Sequence, residues 1–362
     1  MSEFPQLKND TIIKAAFGEK TPYVPVWIMR QAGRYLPEFR ELRQHHSFFD
    51  ICETPELACQ ATLMPLRRFA LDAAIIFCDI LVIPKALGLN VRMVESIGPV
   101  VDALENPSQI KTKLKLENDI DTELDYVYKA ITLARHSLEG SVPLIGFAGS
   151  PFTLMSYMIE GQGSKTLSKV KRWLYQHPDE CHQLLNLLTE RIIQFLVSQV
   201  RAGAQLLQIF ESNAFHLGPK QFNEFSMIYL NKISISVREK LQNDGLSNVP
   251  LILFAKGAHY ALEALCDDSI HQYNVIGIDW TIAPEQAKTI ANNRVTLQGN
   301  LDPCALYANQ DDLDYLVEEM VNQFGTNRYI ANLGHGIYPD VPWEHVTTFV
   351  NAVHKYSKRL NN

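Results

Sequence analysis

The sequence predicts a (β/α)8 barrel, and two observations predict it. Eight short apolar runs punctuate the 362 residues, at 25–29, 73–77, 143–148, 204–210, 250–255, 275–279, 295–300 and 328–333. Each has the length of a strand and lacks the polar alternation of a sheet with one wet face, so each reads as a strand buried on both sides. Helical patterns lie between them, at 55–68, 179–202, 221–242, 284–293, 311–324 and 344–359. Strand and helix in alternation give parallel βαβ units, and eight such units close a barrel. A doubly wound open sheet is the competing fold, but no G-x-G-x-x-G opens the first helix. Barrels of this kind run to this length as one domain, so residues 1–362 are expected to form a single one.

In such a barrel, catalytic groups sit just after the C-terminal ends of the strands, and that rule selects candidates in chain order. The first run, Val26-Trp27-Ile28-Met29, ends directly on Arg30, and Arg34 follows across Gly33. Pro37 then marks a helix start, because proline is tolerated at the first helical position. Arginines leaving a buried strand are costly to desolvate unless an anion meets them. The segment therefore reads as an anion clamp, with two surface arginines on a loop as its plainer alternative.

The second run leads to Asp79, in Phe77-Cys78-Asp79-Ile80-Leu81. Residues 105–125 are charged and weakly patterned, and are expected to form an excursion before the third strand. That strand leads into Gly149-Ser150-Pro151 and on to Tyr157. The fourth is followed by Glu211, Ser212 and Asn213, the fifth by Lys256, and the sixth by Asp279 and Trp280. The seventh is followed by Asn300 and Asp302, and the eighth by Gly334-His335-Gly336.

Each candidate also has a plainer role. Asp79 would serve as an N-cap to a helical turn, Tyr157 as a core tyrosine and Ser212 as a loop cap. The glycines beside His335 allow close backbone approach to a ligand, or simply a tight turn.

The formal net charge of -7 argues against nucleic acid or an anionic membrane as a partner. An anionic substrate would need a local basic pocket, and residues 30–43 supply one. Arg30, Arg34, Arg40 and Arg43 stand there against Glu38 and Glu41. The six cysteines form no C-x-x-C pair, which suits reduced thiols in the cytoplasm. Residues 1–10 carry no apolar signal core, and no apolar stretch approaches membrane-spanning length.

No Ser/His/Asp order, nucleophile elbow or metal-ligand spacing stands out. Several arginines, a strand-end aspartate, a tyrosine and a histidine suit electrostatic and acid/base catalysis on a polyanion.

Six ordered segments carry a resemblance to a known family. They are MRQAGRYLPEFR at 29–40, PLRRFALDAAIIFCDILVIPKALG at 65–88, PLIGFAGSPFTLMSYMIEGQGS at 143–164, GAQLLQIFESNAFHLGP at 203–219, LQGNLDPCALYA at 297–308 and RYIANLGHGIYPD at 328–340. Together they resemble the uroporphyrinogen decarboxylases, nearly from end to end. The resemblance implies a single barrel, a homodimer, and no cofactor or metal. It implies the conversion of uroporphyrinogen III to coproporphyrinogen III by loss of carbon dioxide from four acetate arms.

Matching positions put substrate binding on Arg30, Gln31, Ala32, Gly33, Arg34, Asp79, Tyr157, Ser212 and His335. Phe147 and Phe210 would line the apolar part of the cleft, and Arg43 falls on a family pocket position. Catalysis would rest on Asp79, with Arg30 delivering or relaying a proton. Burial should raise the Asp79 pKa and nearby arginines should lower it, and the arginines are expected to win. One departure is Lys256-Gly257, where some members read Lys-Asp.

Two other classes fit parts of the inventory. Corrinoid- or zinc-dependent methyl transfer uses a similar barrel but needs thiol and imidazole ligands near the mouth. A tetrapyrrole-binding module would not call for the extra negative charge of Asp79.

Overall fold

The computed structural model describes residues 3–94 and 97–361. Its strands are β1 (Ala74–Ile75), β2 (Val91–Val94), β3 (Gly98–Val101), β4 (Leu144–Gly149), β5 (Leu206–Glu211), β6 (Leu251–Ala255), β7 (Val275–Gly277), β8 (Thr296–Leu301) and β9 (Tyr329–Leu333). Seven of them form one parallel sheet in the order β1-β4-β5-β6-β7-β8-β9. Helices cross between successive strands, as the βαβ reading requires.

The first expected strand, 25–29, holds the eighth place without being a regular strand. It makes one isolated parallel bridge, Val26 to Ala331, while the Asp72 N–H donates to the Val26 carbonyl on its other side. The physical reason lies in its backbone donors. The N–H groups of Val26, Ile28 and Met29 donate to the side-chain oxygens of Asp72, Gln31 and Asn332 instead of to a neighbouring strand. The barrel is thus closed by a few backbone bonds supplemented by side chains. The second expected strand shrinks from 73–77 to two residues, because the Phe77 N–H turns away to the Thr62 hydroxyl.

Asp72 is the main fastening at this seam. Its carboxylate also accepts from Asn9 and the Tyr23 hydroxyl, and lies 2.8 Å from His354 Nε2 on the helix Trp343–Asn361. One buried acid thereby joins the N-terminal segment, both edges of the seam and the last helix.

Side chains alternate across each strand, with period two. Trp27, Met29, Ala73, Ile145, Leu206, Ile252, Phe254, Val275 and Ile330 point into the barrel, where helix Thr11–Ala16 adds Ile12, Ala15 and Ala16. Their neighbours Leu144, Leu207, Leu251, Leu253 and Ala331 point outward against the helices. Polar side chains cross the interior as a satisfied chain. Trp27 Nε1–H donates to Gln298, and Gln298 donates to Gln208.

The excursion before β4 is larger than expected, because the antiparallel hairpin β2–β3 precedes the charged stretch. The Val101 N–H donates to Gly161 and the Leu104 N–H to Met158, so this excursion clasps the end of helix Pro151–Glu160. The pattern expected at 221–242 is interrupted by a π-helical turn, Asn223–Met227.

Candidate active site

The mouth at the C-terminal strand ends gathers Arg30, Asp79, Tyr157, Lys256 and His335 into one electrostatic neighbourhood. Arg30 bears on Asp79, Tyr157, Lys256 and His335 alike. Its backbone is left-handed, φ 64, which costs a non-glycine residue roughly 1–2 kcal/mol. A turn bonded from the Gln31 N–H to the Ile28 carbonyl holds it there. The conformation throws the side chain across the last loop, where a Cβ on Gly336 would collide with it. Gly336 thus leaves room for the protein's own Arg30 side chain, where the sequence predicts a ligand's approach or a tight turn.

Asp79 is half-buried, and its Oδ1 accepts from the Leu81 N–H at 2.6 Å. Helix Val82–Ala86 has Leu81 at its N-cap position, without a side-chain cap, so Asp79 is not that helix's N-cap. Burial pushes the Asp79 carboxyl up to about 6, outweighing both the Leu81 bond and the Arg30 guanidinium. The expectation that the arginines would win is thereby overturned. Its reason is geometric: one arginine acts on the carboxyl, and the dry wall of the cleft acts more strongly.

His335 is pushed the other way. Burial first, then Arg30 and Lys256, lower its imidazole to about 4, so it is neutral at physiological pH. Its Nδ1 lies 3.4 Å from the Gly336 carbonyl. Burial and Asp79 both raise the Tyr157 hydroxyl, which remains protonated. Tyr157 is carried by helix Pro151–Glu160, which starts where the sequence turns from strand to Ser150-Pro151. Ser150 caps the Thr153 N–H, and Pro151 opens the first turn.

Ser212 is half-buried just past β5, its N–H held by the Thr153 hydroxyl. Phe147 and Phe210 meet edge to face with ring centres 5.7 Å apart, and Phe210 continues to Phe254. These rings pack together toward the C-terminal ends of β4, β5 and β6.

Other expected residues take different positions. The Gln31 side chain is buried and bonded to the Ala73 carbonyl and the Ile28 N–H, so it builds the seam instead of facing the cleft. Ala32 and Gly33 are half-buried in the turn that follows, and Arg34 is exposed beside them. Arg43 sits on helix Pro37–His45 and donates to the His46 carbonyl. That helix begins at Pro37, as the sequence implied.

Two strand-end acids prove to be fastenings. Glu211 accepts from Ser150, Thr153, Ser226 and the Asn213 N–H. Asp279 accepts from the Gly257 N–H and from the Thr281 N–H and hydroxyl, and pairs with His259 at 2.8 Å. These bonds hold the Asp279 carboxyl well below the usual range despite its burial. Sequence reasoning missed Asp72 altogether, since it precedes its strand and faces away from the mouth. A lone acid between Leu71 and Ala73 was the available signal.

The cysteines show no sign of activation. Burial and Asp79 push the Cys78 thiol far up, and Cys52 follows. Among the described residues, no group of three or more His, Cys, Asp or Glu side chains is placed to hold a metal ion. Among the described residues, no helix is long and apolar enough to cross a membrane.

The class is set by these features: a TIM-barrel-like enzyme whose cleft presents cations, the raised carboxyl of Asp79 and a neutral imidazole at the strand ends. The uroporphyrinogen decarboxylase (URO-D) family model matches residues 7–356, and the chain belongs to that family. It is 56% identical to uroporphyrinogen decarboxylase of Ovis aries, over 99% of this chain and 96% of the relative. It is 55% identical to that of Homo sapiens, with the same coverage, and 48% identical to that of Salinibacter ruber, over 99% of each chain. Among solved structures, a methyltransferase from Methanosarcina mazei superposes with TM-score 0.80, covering 98% of this chain and 99% of that one. At 21% identity this likeness concerns the fold alone.

Proposed function

We propose that this chain removes carbon dioxide from the four acetate arms of uroporphyrinogen III, giving coproporphyrinogen III in porphyrin biosynthesis. Asp79 and Arg30 act at the reacting centre, and the protein needs no metal or cofactor. The observation that carries the assignment of roles is the Asp79 carboxyl, raised to about 6 by burial and facing Arg30 across the cleft mouth. At neutral pH such a group is still mostly ionised. It is poorly solvated, so it interacts strongly with any cation that develops beside it.

The substrate carries eight carboxylates around a ring of four pyrroles whose N–H groups point inward. Asp79 accepts from those N–H groups. Protonation of a pyrrole α-carbon then creates a cation conjugated to the neighbouring acetate arm. The electrons of the bond to the carboxylate flow into the ring as carbon dioxide leaves. The exocyclic methylene takes up a proton and the ring gives one back, so each methyl group formed consumes one proton. Asp79 stabilises the cation more strongly than the neutral ground state, which lowers the barrier.

Arg30, exposed at the mouth, holds a carboxylate arm and relays the proton. Arg34 takes a second arm, with Arg43 further along the same basic segment. Gln31, Ala32 and Gly33 set the turn that aims the two arginines. Tyr157, Ser212 and neutral His335 position carboxylates or ring edges without adding charge, and Phe147 and Phe210 meet the apolar ring face. The reading also takes residues 1–362 as one domain, working as a homodimer in the cytoplasm, on the strength of the family.

The direct test is turnover of uroporphyrinogen III by protein dialysed against a chelator. Full activity is expected. Activity lost on chelation and restored by zinc, a corrinoid or a nucleotide would overturn the reading.

A further inference from the structure

We propose that Lys256 is a substrate-binding residue, an ammonium that takes a carboxylate arm on the wall of the cleft formed by β5 and β6. The inference rests on the reading of the cleft as a polycarboxylate site.

The first support is register. Ile252 and Phe254 point into the barrel, and Lys256 is the next position of the same parity. The ladder continues to it, because the Lys256 N–H donates to the Glu211 carbonyl at 3.1 Å. Ser212, after Leu206, Gln208 and Phe210, reaches the mouth by the same alternation on the neighbouring strand. The backbone then stops abruptly. The Gly257 N–H is bound by Asp279, and Gly257 is left-handed, φ 69, with Phe215 where a Cβ would stand. Lys256 is thus the residue directly after β6, held by a strand-type backbone bond.

The second support is an imbalance of charge. Among the described residues Lys256 has no ion-pair partner, although it is half-buried. Its ammonium lies 5.0 Å from the centre of the Phe215 ring, a contact that leaves its N–H donors free. Asp279 is the nearby acid, and its two oxygens are occupied by Gly257, His259 and Thr281. Burial presses the ammonium toward losing its proton; the charge of Asp279 offsets this only in part, and Arg30 adds to it. A half-buried cation close to Arg30, with its own acid engaged elsewhere, is relieved by an incoming anion. The field of Lys256 also reaches His335, which places it near the residues already assigned.

Lys256→Met keeps the length and the ring contact and removes the charge. KM for uroporphyrinogen III should rise about tenfold or more, with kcat changed far less, and Lys256→Arg should recover most of the loss. The melting temperature should hold, since no ion pair is broken. Unchanged KM in Lys256→Met, or a KM defect that Lys256→Arg does not relieve, overturns the proposal. Arg30→Ala is measured in parallel. A defect there with a normal Lys256→Met removes Lys256 alone, whereas normal KM in both removes the polycarboxylate reading of the cleft and this proposal with it.

Discussion

Replacing Asp79 by asparagine should move activity and stability in opposite directions. The substitution keeps the shape and the acceptor oxygen, so the bond from the Leu81 N–H at 2.6 Å survives. It removes the charge. Preorganised groups of this kind contribute roughly 10²–10³ in rate, so turnover should fall by that factor.

The carboxyl stands at about 6 against an ordinary 3.8, and a shift of about two units is worth at most about 3 kcal/mol of native-state penalty at pH 7. The sign follows from proton counting. Between pH 4 and 6 the native state binds more protons at Asp79 than the unfolded chain does, so this group erodes stability as pH rises and the penalty is complete above 6. The asparagine variant lacks that penalty. Its melting temperature should match the parent near pH 4 and equal or exceed it at pH 7.

Calorimetry at both pH values and turnover on the same sample decide the matter. In the parent, kcat/KM should also fall on the acid side with a midpoint near pH 6. Normal turnover in the variant would remove Asp79 from the mechanism. A profile flat to pH 4.5 would refute the raised carboxyl as the group that matters.

Arg30→Ala and Arg34→Ala should each raise KM about tenfold or more, and added salt should weaken capture by the parent; unchanged kinetics in the double variant would refute the clamp. His335→Asn should retain measurable turnover, because an imidazole pushed to about 4 is not an imidazolium at pH 7 and so is no ready general acid; complete inactivation of the folded variant would assign it an essential role. The same lowering means His335 costs stability as pH falls from 6.5 toward 4, so the variant should lose stability less steeply over that window. Sedimentation at micromolar concentration should give about twice the 41.1 kDa chain mass, and a single monomeric species would count against the homodimer.

The sequence by itself determined the order of the βα units and which residues lie near the strand ends at the mouth. Those properties are local: a buried strand is a short apolar run, and the residue that follows it lies at the mouth whatever the packing. Arg30, Asp79, Tyr157 and His335 were legible for that reason, as was the helix that starts at Pro37.

Tertiary structure decided what those groups are surrounded by. Gln31 turned inward because the seam of the barrel needed an acceptor for the Ile28 N–H. Asp72 became the fastening because four distant segments converge on it. Glu211 and Asp279, strand-end acids like Asp79, were taken up by hydroxyls and backbone donors. Burial raises Glu211 as well as Asp79, but of these three acids only Asp79 keeps a single donor and feels the Arg30 guanidinium at the mouth. A carboxylate's role depends on the balance of desolvation against donors and charges within a few ångströms. Those neighbours come from remote parts of the chain, so a linear sequence names the acid without saying whether it will be a fastening or a reagent.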